Sequence, residues 1–409
     1  MHIDHPIRTF LIGAQMIFVA FGALVLVPIL VGLHPSIALF TAGAGTLLFS
    51  FITQQKVPVF LASSFAFIAP MQFALEQFGY GATFTAMASA GLLYAILAAL
   101  VYFRGRRFLD TYLPPIVTGP IIIVIGLSLS DVAIKMAVSW DSQGTYNGKA
   151  ALVSAFTFAV AVLMVRARKR ILNVLPIILA ITAGYFLCLV TGWTNLVPVK
   201  DAPWLVFPWS AASEAGMFEA PSLSIHAILY MLPVAIVPAI EHVGDILAIG
   251  SVTKRDYLKD PGLHRTMLGD GLATMLAGFL GGPPNTTYSE VTGAVAITRA
   301  FKVIYMQIAA GFAILLAFVG KLGALLQSIP KPVMGGVLTL VFGMIAAVGI
   351  GTLIRNKADF ENPRNYLVVA VILVVGIGDL QWSFGSLTIG GLGLAGILGI
   401  TLNRILALK

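Results

Sequence analysis

The chain has 409 residues, 58% of them hydrophobic and only 10% charged, against roughly a quarter charged in an ordinary soluble domain. That balance excludes a soluble globular fold and describes an all-α polytopic membrane protein. The net charge of +8 raises nucleic acid as a partner, but the distribution of the basic residues points elsewhere. Cys188 is the single cysteine, so there is neither an intrachain disulfide nor a cysteine metal cluster.

Apolar stretches near the ~20 residues that cross about 30 Å of hydrocarbon recur along the whole chain. They lie at 9–33, 36–54, 57–78, 80–103, 113–134, 150–166 and 171–192, then at 223–250, 264–280, 283–299, 303–327, 332–354, 363–379 and 387–405. The first is too long, and begins too far inside the chain, for a cleaved signal peptide. With fourteen spans and both termini cytoplasmic, twenty of the 25 Lys and Arg fall inside. They include Arg8, Arg104, Arg106, Arg107, Arg166, Arg168, Lys169, Arg170, Arg355 and Lys409; Lys135, Lys149, Lys200, Lys321 and Lys331 fall outside. Lys and Arg concentrate in cytoplasmic loops, and an odd number of spans scrambles the bias. The basic charge is therefore a topology signal, not a nucleic-acid footprint.

The chain also repeats itself. "PPIVTGPIIIVIG" (114–126) aligns with "KPVMGGVLTLVFG" (331–343) at a constant offset of 217, matching Pro115 to Pro332, Gly119 to Gly336 and Gly126 to Gly343. Seven spans separate the copies. An odd number of spans per repeat inserts the two halves with opposite orientation, as in many transporters.

On that correspondence the third and tenth spans are partners, and both are interrupted. The third reads "VPVFLASSFAFIAP" (57–70) and the tenth contains "PPNTTYSEVTG" (283–293). Each opens with proline in an extended stretch, continues with hydroxyl residues and ends in helix. Proline removes an N–H and disfavours helix before it, and Ser or Thr is expected to cap the half-helix that follows. A half-helix start presents free N–H groups and a positive dipole end at mid-membrane depth. Irregular backbone survives there only when buried in protein or lining a cavity. The two extended pieces can satisfy each other by pairing. Short strands and half-helices in spans 3 and 10 thus mark the expected binding site.

The acids agree. Glu241 and Asp245 in "AIEHVGDILAIG" share a helical face, Asp270 lies early in the ninth span, and Glu290 follows the tenth-span break. An ionised acid at mid-bilayer costs about 2.5–3.5 kcal/mol on the lenient insertion scale. Several carboxylates near one cavity repel one another when ionised, which suits Glu241, Asp245, Asp270 and Glu290 to exchanging a proton. Carboxylates accept hydrogen bonds and half-helix N–H groups donate them. A small planar solute with ring N–H and carbonyl groups, such as a nucleobase, satisfies both, whereas the acids repel an anion. Phe65, Phe67 and Tyr288 are placed either to stack on a flat ring or to pack as ordinary core. There is no phosphate-binding glycine loop, nucleophile elbow or metal-spaced His/Cys set, so the chain does not read as an enzyme and needs no cofactor. His242 reads as a packing residue or a partner of the site rather than a metal ligand.

At these residues the sequence resembles the nucleobase–ascorbate transporter family, end to end, and most of all its bacterial uracil and xanthine permeases. The segments "FGALVLVP" (21–28), "ASSFAFIAP" (62–70), "EHVGD" (241–245), "DPGLHRTM" (260–267), "PNTTY" (284–288), "AITR" (296–299) and "PVMGG" (332–336) carry the likeness. The family signature after the tenth-span break is met by Glu290, Gly293, Thr298 and Arg299, with Val291 where the family has Asn. The resemblance implies a core domain of spans 1–4 (1–108) and 8–11 (223–329). It implies a gate domain of spans 5–7 (109–222) and 12–14 (330–409), with homodimers joined through the gates in the bacterial inner membrane. It further implies that Glu241 and Glu290 hold the base, with backbone groups around Ala23, Phe65 and Ser289 completing the site; Ser64, Asp245 and Tyr288 are further candidate binding residues. A proton is the expected coupling ion, with sodium the alternative. Asp245 stands where uracil permeases usually carry His, and Asp270 where they carry Asn. These two acids lean the expected substrate toward a purine such as xanthine, guanine or hypoxanthine, with uracil the alternative. A channel or anion exchanger of the same architecture is the competing class.

Overall fold

The computed structural model describes residues 6–105, 111–141, 144–167, 175–384 and 387–407, without side chains at 6–8, 289, 290, 384, 387 and 388. Of the inner basic set, Arg106, Arg107, Arg168, Lys169, Arg170 and Lys409 lie outside the described residues, as do the side chains of Arg8, Ser289 and Glu290. Backbone in hydrocarbon must satisfy its own hydrogen bonds, and the apolar stretches accordingly coil. The first half runs α1 (Pro6–Val19), α2 (Phe21–Val31), α3 (Pro35–Ile52), strand β1 (Ala62–Ser63), a 3-10 turn (Phe65–Phe67) and α4 (Ile68–Arg104). It continues with α5 (Pro115–Ser128), α6 (Ser130–Val138), α7 (Gly148–Val165), α8 (Pro176–Val190), α9 (Val197–Asp201) and α10 (Pro208–Glu214). The second half runs α11 (Ile225–Thr253), α12 (Leu263–Phe279), β2 (Asn285–Thr286), α13 (Ser289–Thr298), α14 (Val303–Ala317), α15 (Gly320–Gln327) and α16 (Lys331–Arg355). It ends with α17 (Pro363–Ile377), β3 (Trp382–Phe384), β4 (Leu387–Ile389) and α18 (Gly391–Ile405).

Among the described residues, seven helical stretches are long and apolar enough to cross a membrane, and α8, α14, α17 and α18 are shorter apolar helices. The stretch Phe65–Arg104 spans 40 residues, about 60 Å at the helical rise and twice the hydrocarbon thickness. Gly79 resolves this: at φ 76° and ψ 177° it breaks α4 into two, where the sequence separates spans 57–78 and 80–103. Elsewhere the expected bounds shift. The span expected at 387–405 becomes helical only at Gly391, because Leu387–Ile389 pairs antiparallel with Trp382–Phe384. The span expected at 303–327 divides between α14 and α15. There the Val206 N–H donates to the Phe318 carbonyl and the Gly320 N–H to the Trp204 carbonyl, holding the chain extended.

The packing repeats with the sequence. Shifting by seven spans exchanges α3 with α12 and the second part of α4 with α14. Correspondingly, α12 packs on α4 and α14 packs on α3. The same shift carries the α7–α8 pair onto α17–α18 and the α7–α16 contact onto α5–α17, all of which are present. The repeat helices α5 and α16 pack on each other and run antiparallel, since Gly119 meets Leu353 and Gly349 while Gly126 meets Phe342 and Ala346. The two halves are inverted repeats. Their helices sort into two groups, α1–α4 with α11–α14 and α5–α8 with α16–α18, bridged chiefly where α11 meets α18.

Candidate functional site

The two broken spans meet. β1 and β2 pair antiparallel, Ala62 opposite Thr286 and Ser63 opposite Asn285, and the Ser64 N–H donates to the Pro284 carbonyl at 2.9 Å. Side chains complete the ladder: Thr46 Oγ1 accepts from the Leu61 N–H at 2.9 Å, and Asn285 Nδ2 donates to the Thr41 carbonyl at 2.8 Å. The Thr274 hydroxyl donates to the Asn285 carbonyl. Two segments whose own prolines keep them from coiling thus satisfy each other's backbone, as a buried interruption must.

Helix starts follow both strands. Ser64 precedes the 3-10 turn leading into α4, and Tyr288 precedes α13; both are extended residues whose side chains make no capping bond. The capping expected from Ser64 is therefore absent. The Ser63 and Ser64 hydroxyls are buried without a hydrogen-bond partner among the described residues. The first N–H groups of each start have no intrahelical acceptor. Phe65 and Tyr288 stack across the pair of breaks, ring centroids 6.0 Å apart and 29° between planes.

A cavity of about 260 Å³ opens at this point, between the two helix groups. Phe65, Tyr288, Thr286 and Glu241 form one wall, and Ile122 and Ile125 of α5 with Met344, Ile345 and Val348 of α16 form the other. A second cavity of about 370 Å³ shares Ile122, Glu241 and Val348 with it and continues past Asp245 to Arg355 and Asn356. A third, of about 310 Å³, shares Phe65 and Ile125 and reaches Glu76 and Asp379 at the opposite end of the bundle. The site cavity thus lies between two vestibules.

The expected site residues divide accordingly. Glu241, Phe65 and Tyr288 line the site cavity, and Asp245 lines the adjoining one. Ala23 and Ser64 are buried and line neither cavity. Asp270 turns away from both, fully buried behind the site with its Oδ2 3.2 Å from His242 Nδ1. Its carboxylate is held by an imidazole rather than facing solvent, because α12 packs behind α11 and α4. Ser289 and Glu290 open α13, and their side chains lie outside the described residues. His242 is the residue the sequence undervalued: fully buried beside Asp270, it also stands 3.3 Å from the Thr287 hydroxyl. That hydroxyl donates to Asp245 Oδ2 at 2.9 Å. The signal was an acid on each of two apolar helices flanking one histidine.

A family model described as the permease family, covering xanthine and uracil permeases, matches residues 7–384. The chain belongs to the nucleobase–ascorbate transporter family. It is 49% identical to a protein named "Probable uracil permease" from Haemophilus influenzae, over 97% of this chain and 93% of that one. It is 41% identical to the uracil permease of Bacillus subtilis (96% and 91% covered) and 39% identical to that of Escherichia coli K12 (98% and 92%). Among solved structures, the transmembrane domain of the cyanobacterial bicarbonate transporter BicA superposes with a TM-score of 0.60 at 14% identity, covering 98% of both chains. The murine anion transporter Slc26a9 in its inward-facing state gives 0.70 at 12% identity, covering all of this chain and 69% of that one. At such identities the likeness is of fold, and it is the fold of a multi-pass transporter. The chain is a permease, not an enzyme.

Proposed function

We propose that this protein carries uracil into the cell by symport with protons. The observation that supports it most is the convergence, on one small cavity, of the Glu241 carboxylate, two half-helix starts and the stacked rings of Phe65 and Tyr288. A flat base with ring N–H and carbonyl groups matches that set, its N–H donating to Glu241 and its carbonyls accepting from the helix starts. An anion of the kind named for the structural neighbours meets a carboxylate there instead. Glu290, Ser289 and backbone around Ala23 and Ser64 complete the site in this reading, with Glu290 a second acceptor.

Uracil is preferred here to the purine suggested by the two substituted acids, for a physical reason as well as for the names of the relatives. The purine lean rested on Asp245 and Asp270 standing where the uracil type carries His and Asn. Asp270 is turned away to His242, so of the two only Asp245, which also accepts the Thr287 hydroxyl, borders the cavity. The α1–α4 and α11–α14 group acts as the core that carries the base, and α5–α8 with α16–α18 as the gate it moves against. The vestibules on either side serve the two faces of the bacterial inner membrane. Both termini and Arg355 face the cytoplasm, membrane lipids surround the bundle, and the gates join two copies.

The test is uptake of labelled uracil into cells lacking their own carriers, competed with xanthine, guanine and hypoxanthine. Uracil uptake that rises on external acidification and collapses with a protonophore supports the reading. Stimulation by sodium at fixed pH without a protonophore effect replaces the proton by sodium, and stronger competition by a purine restores the purine reading.

A further inference from the structure

The buried cluster behind the cavity concentrates ionisable groups where they are costly. His242 and Asp270 have no exposed surface, and Asp245 is 3% exposed. A buried unpaired charge costs several kcal/mol, so each of these groups must balance another. Nδ1 of His242 lies 3.2 Å from Asp270 Oδ2 and 3.3 Å from the Thr287 hydroxyl. Two acceptors facing one nitrogen require a proton on it or on the carboxylate. The Thr287 hydroxyl has a single hydrogen, and its shorter bond, 2.9 Å, is to Asp245 Oδ2. Thr286 Oγ1 adds a long contact of 3.5 Å to the same Asp270 oxygen. Nε2 of His242 and Oδ1 of Asp270 are buried without a hydrogen-bond partner among the described residues. Among the described residues, the pair is met by Thr286 and Thr287 from β2 and the residue after it, by Asp245 of α11 through Thr287, and by Tyr94 of α4, which lies within electrostatic reach of Asp270 and Glu241. From α3 the pair meets the uncharged ring of Phe49, 6.4 Å from the imidazole.

We propose that the His242–Asp270 pair is the seat of the transported proton, and that Thr287 connects it to Asp245 at the cavity. The proposal rests on the symport reading above. Asp245 borders the vestibule that reaches Arg355, and close contacts run from it through Thr287 to His242 and Asp270. In the step proposed, protonated Asp245 gives its proton to Thr287 Oγ1 as the hydroxyl's own proton passes to His242 Nδ1. The products are an Asp245 carboxylate and a His242 imidazolium facing the Asp270 carboxylate. One O–H bond breaks at each oxygen donor, one forms at Thr287 and one N–H bond forms at His242, with no other reactant. Thr287 then donates to Asp245 instead of His242. Because Thr287 immediately precedes Tyr288, which begins α13 and stacks on Phe65, the switched hydroxyl bears on the wall of the site. Thr287 and His242 are positioning residues in this scheme; neither touches the base.

The experiment uses the whole protein in proteoliposomes, comparing uracil accumulation driven by an imposed pH gradient with uracil–uracil counterflow, which needs no net proton movement. His242→Gln is expected to keep counterflow and to lose both accumulation and the pH dependence of uptake. Thr287→Val is expected to do the same, while Thr287→Ser, which keeps the hydroxyl, retains both. Should His242→Gln leave no folded protein, the Val and Ser variants at 287 decide the matter, with monodispersity in detergent confirming the fold. Wild-type accumulation and pH profile in His242→Gln or Thr287→Val overturns the proposal. Loss of counterflow in a folded Thr287→Val also overturns it, since the hydroxyl then serves binding. Absence of counterflow in the wild type instead removes the uracil reading.

Discussion

Ser63 and Asn285 face each other across an antiparallel pair of two-residue strands, each drawn from a membrane span that its own prolines prevent from coiling. Asn285 is the more constrained. Its Nδ2 donates to the Thr41 carbonyl, its backbone carbonyl accepts from Thr274, and it is 1% exposed. The strand pair is thereby fixed to α3 and α12. Asn285→Ala removes the bond that ties the strand pair to the Thr41 carbonyl of α3, a loss of about 0.5–1.5 kcal/mol. A lowered unfolding temperature in detergent is the expected result, and unchanged melting contradicts it.

The stacked rings test the site itself. Aromatic pairs contribute about 0.5–1.5 kcal/mol beyond their buried area, and a base that joins Phe65 and Tyr288 gains a similar contact. Phe65→Ala and Tyr288→Ala should each raise the dissociation constant for the base about threefold to tenfold. Tyr288→Phe, which keeps the ring, should change it little. Equal losses in the Phe and Ala variants at 288 would assign the effect to the hydroxyl instead.

Much of this arrangement could be read in the sequence because it rests on local chemistry. Pro58 and Pro284 disfavour helix in the residues before them, and Gly79 falls between two apolar stretches each about one bilayer long. The repeat through Pro115 and Pro332 required only matching residues at one offset. What could not be read was the facing of side chains across helices. Glu241 and Asp245 share a face, but the partner of His242 comes from α12 and its second neighbour from the residue after β2. Nothing local to Asp270 says that its carboxylate turns toward an imidazole rather than into the cavity. Likewise the capping expected of Ser64 follows local preference, whereas the tertiary fold leaves its hydroxyl without a partner among the described residues.

The close approach of α5 and α16 is open to a packing test. A Cβ on Gly126 meets the Phe342 backbone carbonyl and the Ala346 backbone nitrogen, and neither can swing aside as a side chain can. Gly126→Val should therefore separate the two repeat helices, at a cost of about 1–3 kcal/mol for overpacking. Reduced thermal stability of the purified protein checks this. At Gly343, its partner in the repeat, nothing lies within 4 Å of an added Cβ, so Gly343→Ala serves as the control and should be tolerated.

Glu241 carries the strongest functional expectation. It lines both the site cavity and the vestibule beside it, where a base's N–H can reach its carboxylate. Glu241→Gln keeps the shape and one acceptor oxygen, but it loses the charge and presents N–H groups where the base also donates. Loss of a charged acceptor for a buried donor costs about 1–3 kcal/mol, or roughly tenfold to a hundredfold in affinity. Uptake should fall below detection while expression and detergent behaviour remain those of the wild type. Substantial uptake by the variant would remove Glu241 from the binding role.

Selectivity turns on Asp245. Its Oδ2 accepts the Thr287 hydroxyl at 2.9 Å, and its side chain borders the vestibule directly below Glu241. Histidine at this position is bulkier than Asp and fills space that the fused ring of a purine needs more than uracil does. It also replaces an obligate acceptor with a group whose nitrogens divide between donor and acceptor, so a purine's additional ring N–H loses any acceptor Asp245 gives it. Asp245→His should therefore shift competition further toward uracil and away from xanthine or guanine, even if every uptake rate falls. The measurement is the ratio of inhibition constants for the two classes of base against labelled uracil. A ratio that stays fixed while binding persists places Asp245 outside base recognition.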